Sequence, residues 1–102
     1  LETILERLDQ YLYQCDDTYI TVCTDVFSSA FAPGVSAPQS LGLDPEIVLP
    51  LIKHVLRTRK VRGFDICEIS PRFDQDNTTA NLGAVIIFAV INTLCRLNGL
   101  SL

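Results

Sequence analysis

The chain has a single histidine, His54, among its 102 residues, and that scarcity excludes much. A Ser/His/Asp or Cys/His nucleophilic constellation needs an imidazole beside its nucleophile. His54 falls mid-helix next to Lys53, with no ligand-like neighbour in sequence, and reads as a solvated side chain. The five glycines do not form a phosphate-binding loop. Eight bases stand against twelve acids, and no basic run exceeds Arg57-Thr58-Arg59-Lys60, so the concentrated positive field that nucleic acid requires is missing. That short run is expected at a helix C-terminus, where the dipole favours cations. The four cysteines, Cys15, Cys23, Cys67 and Cys95, lack CxxC spacing and lie on apolar-periodic segments, and no secretory leader is expected. They are expected to be reduced thiols in a cytoplasmic protein rather than a disulfide framework. The run Leu82–Ile91 is apolar but shorter than the ~20 residues of a membrane span. Bracketed by Asn81, Asn92 and Arg96, it reads as a helix buried in protein, and no membrane partner is expected.

What is abundant is apolar sequence, 48% of residues, with a mean hydropathy of +0.29. A single domain of this size hides only about two-thirds of its unfolded surface. Some apolar surface is therefore expected to be covered from outside, by the rest of a larger protein or through self-association.

The pattern predicts helix, strand, helix, strand, helix. Leu1, Ile4, Leu5, Leu8 and Leu12 recur at helical spacing up to about Tyr13. Thr18 to Val26 and Val61 to Ile69 are rich in β-branched and aromatic residues and read as strands. Residues 27–44 between them read first as a long, structureless loop around Pro33-Gly34 and Pro38. Asp44-Pro45-Glu46 then signals a helix start. That helix runs to about Arg59, with Pro50 predicting a kink or a later start near Leu49. Asp76 or Asn77 is expected to cap a last helix, Thr78 to Leu97, which Asn98-Gly99 ends. Two strands around one helix imply a parallel β-α-β crossover, and such sheets are normally covered on both faces.

Both strands deliver an acid to their carboxyl ends, where ligands sit in open α/β sheets. Cys23 and Asp25, two apart, share one side of the first strand. A carboxylate pair there would suit a hard divalent cation, whereas a buried thiol with a turn-forming aspartate is the structural alternative. Glu68, just before Ser70-Pro71, could pair with a cationic amidine or guanidine, or could be an exposed strand-end acid. Asp65 lies on the opposite face from Glu68. Asp74-Gln75-Asp76 lacks the glycine and glutamate of a calcium loop and reads as a helix cap.

With these residues in view, the chain resembles the C-terminal part of the ureohydrolase family, which includes arginase, agmatinase and formimidoylglutamase. The family's S-x-D-x-D element, proline-rich loop and P-G match Thr21, Cys23, Asp25, Pro33-Gly34 and Gly42. Its G-x-D-x-x-E-x-x-P element matches Gly63, Asp65, Glu68 and Pro71, and Thr79-Ala80 fits the start of its final helix. The likeness runs from about Tyr19 to the end. The loop Ala32-Pro33-Gly34-Val35-Ser36-Ala37-Pro38 is most similar to formimidoylglutamase, since other members more often carry threonine-glycine-threonine there.

The resemblance implies the C-terminal βαβα portion of a three-layer α/β/α arginase-like fold with a parallel sheet. Residues 1–102 would be one piece of a single domain whose N-terminal half is absent. It implies a manganese-dependent hydrolase that converts N-formimidoyl-L-glutamate to L-glutamate and formamide in histidine degradation. Two Mn²⁺ ions would supply the attacking hydroxide. Asp25 and Cys23 are the implied metal ligands, Glu68 the substrate-binding carboxylate and Asp65 a residue behind the ligands. The family places aspartate where Cys23 stands, and a thiolate is softer than manganese prefers. Its other ligands, a histidine and a D-x-H-x-D element, are not in this sequence, so no catalytic set is complete and the chain alone is expected to be inactive. Another ureohydrolase activity, agmatinase or guanidino-acid hydrolase, and a noncatalytic module with a degraded metal site are the alternatives. Expected partners are a small-molecule substrate and either a second copy or the missing half.

Overall fold

The computed structural model describes residues 2–100, so Leu1, where the sequence places the start of the first helix, lies outside them. In chain order come helix α1 (Glu2–Tyr13), strand β1 (Thr18–Cys23), a 3-10 turn (Thr24–Val26), helix α2 (Pro45–Leu56), strand β2 (Val61–Cys67), a second 3-10 turn (Pro71–Phe73) and helix α3 (Thr78–Leu97). The two strands pair in parallel, Tyr19 against Gly63 through Cys23 against Cys67, after a register shift at Thr18/Tyr19. This is the expected β-α-β unit with helices flanking it.

Alternation along the strands sorts the side chains into two faces. Ile20, Val22, Phe64 and Ile66 turn toward α2 and α3 and join Ile52, Leu56, Ile86 and Val90 in the core, which Phe27 and Ala32 complete from the loop. Tyr19, Thr21, Cys23, Gly63, Asp65 and Cys67 form the other face, where Tyr19, Thr21 and Cys67 are exposed. On α3 the buried positions Thr79, Gly83, Ile86, Val90 and Thr93 follow one helical stripe. Gly83 lies where a Cβ would come within 2.7 Å of Ile69 Cδ1, so the missing side chain lets the helix press onto the segment that leaves β2.

Several local expectations need correction. Both strands are shorter than predicted: β1 gives way to the 3-10 turn at Thr24, and β2 ends at Cys67 because Glu68 takes a left-handed backbone, φ 67°. Residues 27–44 are not structureless. Phe27 bridges Leu43, Ser28 bridges Gln39, and Phe27, Ala32 and Val35 are buried. Pro50 neither kinks nor delays α2, which starts at Pro45 on an Asp44 cap whose carboxylate accepts from the Glu46 N–H at 2.8 Å. The carbonyl that Pro50 leaves unpaired belongs to Glu46, an exposed residue near the helix end, where water can satisfy it.

Nor does His54 stand alone in solvent. Its Nε2 lies 2.5 Å from the Asp9 carboxylate, which fastens α2 to α1. Asp9 is 45 positions away, so no local pattern could announce the pair. The basic run serves other helices than its own: Arg59 donates to the Leu97 carbonyl at 2.6 Å and Lys60 to the Leu12 carbonyl at 2.6 Å. At the far end of α3, Leu100 N–H reaches the Cys95 carbonyl and Gly99 N–H the Arg96 carbonyl, with Gly99 at φ 72°. This closes the helix as the Asn98-Gly99 signal foretold.

By length and composition alone, α3 could cross a membrane: 20 residues, with a mean hydropathy of 1.7 over its most apolar window, of which 22% is buried here. It is thus less enclosed than the sequence suggests, with Val85, Ile87, Phe88 and Ile91 outward. Its inner stripe behaves as a core face. Ile86→Ala should therefore destabilise the chain by about 2–5 kcal/mol, against under about 0.5 kcal/mol for Val85→Ala, as read by urea unfolding.

Candidate site at the strand ends

The pairing of Cys23 with Cys67 brings the carboxyl ends of β1 and β2 side by side. Asp25 follows two residues after one strand end and Glu68 one residue after the other. A further bond ties the two exits together: the buried Thr24 hydroxyl donates to the Cys67 carbonyl at 3.0 Å. Thr24 thus anchors the turn that carries Asp25 to the residue that precedes Glu68. Both acids consequently stand on one edge of the sheet.

Cys23 and Asp25 meet directly. The thiol donates to the Asp25 carboxylate at 2.8 Å. That hydrogen bond, with burial adding to it, pushes the Cys23 thiol up to about 12. The proton that Asp25 accepts is therefore kept on sulfur at neutral pH. Both side chains are half-buried.

Glu68 is exposed and holds its left-handed backbone without being glycine, a conformation that disfavours an L-residue by roughly 1–2 kcal/mol. The turn it makes sends the chain back across the edge, where Ser70 N–H donates to the Gly34 carbonyl at 2.7 Å. A strained, charged residue at a strand end is a feature that functional sites concentrate. Asp65 lies two register positions before the Cys23–Cys67 pair, on the same face and opposite Thr21. It accepts from the Thr21 hydroxyl at 3.4 Å, and its carboxylate, as a neighbouring acceptor, raises the pKa of Tyr19. Gly63 permits this, because a Cβ there would fall 2.3 Å from the Tyr19 ring. Among the described residues Asp65 has no hydrogen bond to Cys23 or Asp25.

Gly34, Thr79 and Asp74, each in a stretch already singled out in the sequence, organise this edge together. Gly34 N–H donates to the buried Thr79 hydroxyl at 2.7 Å, while its carbonyl takes Ser70. Asp74, not Asp76 or Asn77, caps α3. Its carboxylate accepts from Thr79 N–H at 3.0 Å and Ala80 N–H at 3.1 Å, whereas Asn77 is in the left-handed region with no capping bond. A Cβ on Gly34 would sit 2.7 Å from Asp74. The pattern P-G and Thr79 were visible in sequence, but an acid four residues ahead of the helix is not where a cap is usually sought.

The donors can be weighed against a metal. Manganese favours about six oxygen-rich ligands, and this edge supplies one thiol and one carboxylate. No group of three or more His, Cys, Asp or Glu side chains converges on a metal position among the described residues. The pair by itself does not fit such an ion.

Two measurements bear on this geometry. At pH 8, iodoacetamide should label Cys23 far more slowly in the folded chain than in urea, and Asp25→Asn should accelerate labelling, since the acceptor that suppresses the thiolate is gone. Burial pushes the Asp74 carboxyl up, but donation from Thr79, Ala80 and Gln75 outweighs it and holds the group below its ordinary value. Its stabilisation is therefore present above the ordinary carboxylate range and lost as pH falls through the depressed value. Asp74→Ala should lower the melting temperature at pH 7 and have a smaller effect in strong acid.

The Arginase family model matches residues 1–92. Formimidoylglutamase of Clostridium tetani is 62% identical over 99 residues, covering 97% of this chain and 29% of that protein. Formimidoylglutamase of Legionella pneumophila (strain Lens) is 44% identical over 86 residues, covering 84% of this chain and 27% of its own length. The crystal structure of formimidoylglutamase from Bacillus subtilis superposes with a TM-score of 0.83 at 27% identity, covering 90% of this chain and 29% of that one. The chain thus spans less than a third of the curated relatives it matches. Its parallel strands and flanking helices are those of the arginase-like α/β fold. With the match extending over both strand-end motifs, this chain belongs to the arginase family.

Proposed function

We propose that this chain is the C-terminal part of a formimidoylglutamase, a hydrolase that cleaves the amidine C–N bond of N-formimidoyl-L-glutamate to give L-glutamate and formamide, as a step of histidine degradation in the cytoplasm. One observation carries the reading: the Cys23–Cys67 pairing sets Asp25 and Glu68 on one sheet edge, within a sequence 62% identical to a protein named formimidoylglutamase. Each residue's part follows from its chemistry. The Glu68 carboxylate, exposed at the strand end, would hold the cationic amidine by charge-assisted hydrogen bonds. Asp25 and Cys23 would contribute one carboxylate and one sulfur to a manganese site whose remaining ligands come from outside this chain. Asp65, through Thr21 and Tyr19, would steady the face from which Cys23 projects.

Cys23 also favours a second reading, a noncatalytic family member, because its thiol already occupies the Asp25 carboxylate. The two readings separate in a chimera of the Clostridium tetani protein in which this chain replaces the matching segment. Formamide release from N-formimidoyl-L-glutamate, with agmatine and arginine spared, is the expected result. Glu68→Gln in that chimera should lower kcat/KM by ~100-fold. A folded chimera that turns over none of the three amidines would reverse the assignment. The 102-residue chain alone should release no formamide.

A further inference from the structure

At the end of the fold away from the strand exits, α2 and α3 flank an open groove of about 170 Å³ lined by Lys53, Arg57, Asn92, Thr93, Arg96 and Leu97. Lys53 and Arg57, the last turn and the C-cap of α2, are four residues apart, as are Asn92 and Arg96 on α3. Each pair therefore points along one helix face, and three cations converge on one groove in a chain of net charge −4.

Their use is not explained by the fold. Among the described residues the ion pairs are His54–Asp9 and Arg62–Asp17, so Lys53, Arg57 and Arg96 have no carboxylate partner there. Cations near helix C-termini can simply offset the dipole. At the end of α3 that task is already met by Arg59, whose guanidinium sits on the Leu97 carbonyl, while the Cys95 and Arg96 carbonyls take the backbone N–H groups of Leu100 and Gly99. By contrast, the head groups of Lys53, Arg57 and Arg96 donate to no protein acceptor among the described residues, while Arg59, Lys60 and Arg62 all do. The Thr93 hydroxyl is spent on Ala89, which leaves the Asn92 amide as the neutral donor in the groove.

We infer that the groove between α2 and α3 binds a compact oxyanion carrying two negative charges, with Arg57 and Arg96 as planar donors, Lys53 as a point charge and the Asn92 amide completing the set. Guanidinium forks match the paired oxygens of phosphate and carboxylate alike, and the groove holds a ligand of that size. The site lies apart from the strand-end acids and does not depend on the activity proposed for them.

The test is a titration of the 102-residue chain with inorganic phosphate, and separately with malonate, at an ionic strength held constant with sodium chloride. Saturable chemical-shift changes confined to the groove, with a rising melting temperature, are expected. A response to phosphate alone narrows the ligand to tetrahedral oxyanions, and a response to both extends it to dicarboxylates. R57Q/R96Q should weaken the affinity at least ten-fold. If that double variant does not fold, Asn92→Leu and Arg96→Gln tested singly give the same comparison, each with a smaller loss. No response beyond sodium chloride, or one that the variants leave unaltered, would overturn the inference in favour of simple charge screening.

Discussion

Gly34 is the point on which the site depends. Its N–H goes to the Thr79 hydroxyl, its carbonyl takes the Ser70 N–H, and its missing Cβ makes room for Asp74. Three segments that leave the sheet separately, the loop after β1, the turn after β2 and the first turn of α3, are thereby locked to one another. Asp25 and Glu68 come from two of those segments, and Asp74 secures the third. A side chain at Gly34 would have to displace Asp74, and with it the cap of the longest helix. The geometry of the acids and the packing of α3 are thus one constraint.

The sheet that supports this arrangement is minimal. Two parallel strands have helices on one face, and on the other present Tyr19, Thr21, Cys23, Asp65 and Cys67. Parallel sheets are ordinarily covered on both sides, and the apolar positions left outward on α1 and α3 lead to the same conclusion. The chain's span of less than a third of its relatives agrees with a fold whose remaining layers belong to other sequence.

Much of this was legible because it is local. The periodicity of α3, the Asp44-Pro45 start of α2, the Gly99 stop and the order of strands all follow from residues within a few positions of each other. The two ordered motifs were enough to reach the family. What could not be read is what arises across distance. Pro50 predicted a break, yet its orphaned acceptor falls at the exposed start of the helix. His54 looked solvated because Asp9 is 45 residues away, and the loop 27–44 looked unstructured because Phe27 and Ala32 find their core only through α2, α3 and the sheet. The cap was misplaced by two or three residues because Asp74 reaches forward to Thr79 and Ala80 around a left-handed Asn77.

The Thr24–Cys67 bond joins residues 43 apart, the Gly34–Thr79 bond residues 45 apart. Closing loops of that length delays the contacts they precede, and parallel pairing is slow for the same reason. The three helices draw on neighbours in sequence and can form early, whereas the edge that carries Asp25 and Glu68 exists only once the crossover has shut. In folding, then, chemistry arrives last: the two acids stop being strangers only when the strands on either side of α2 have paired.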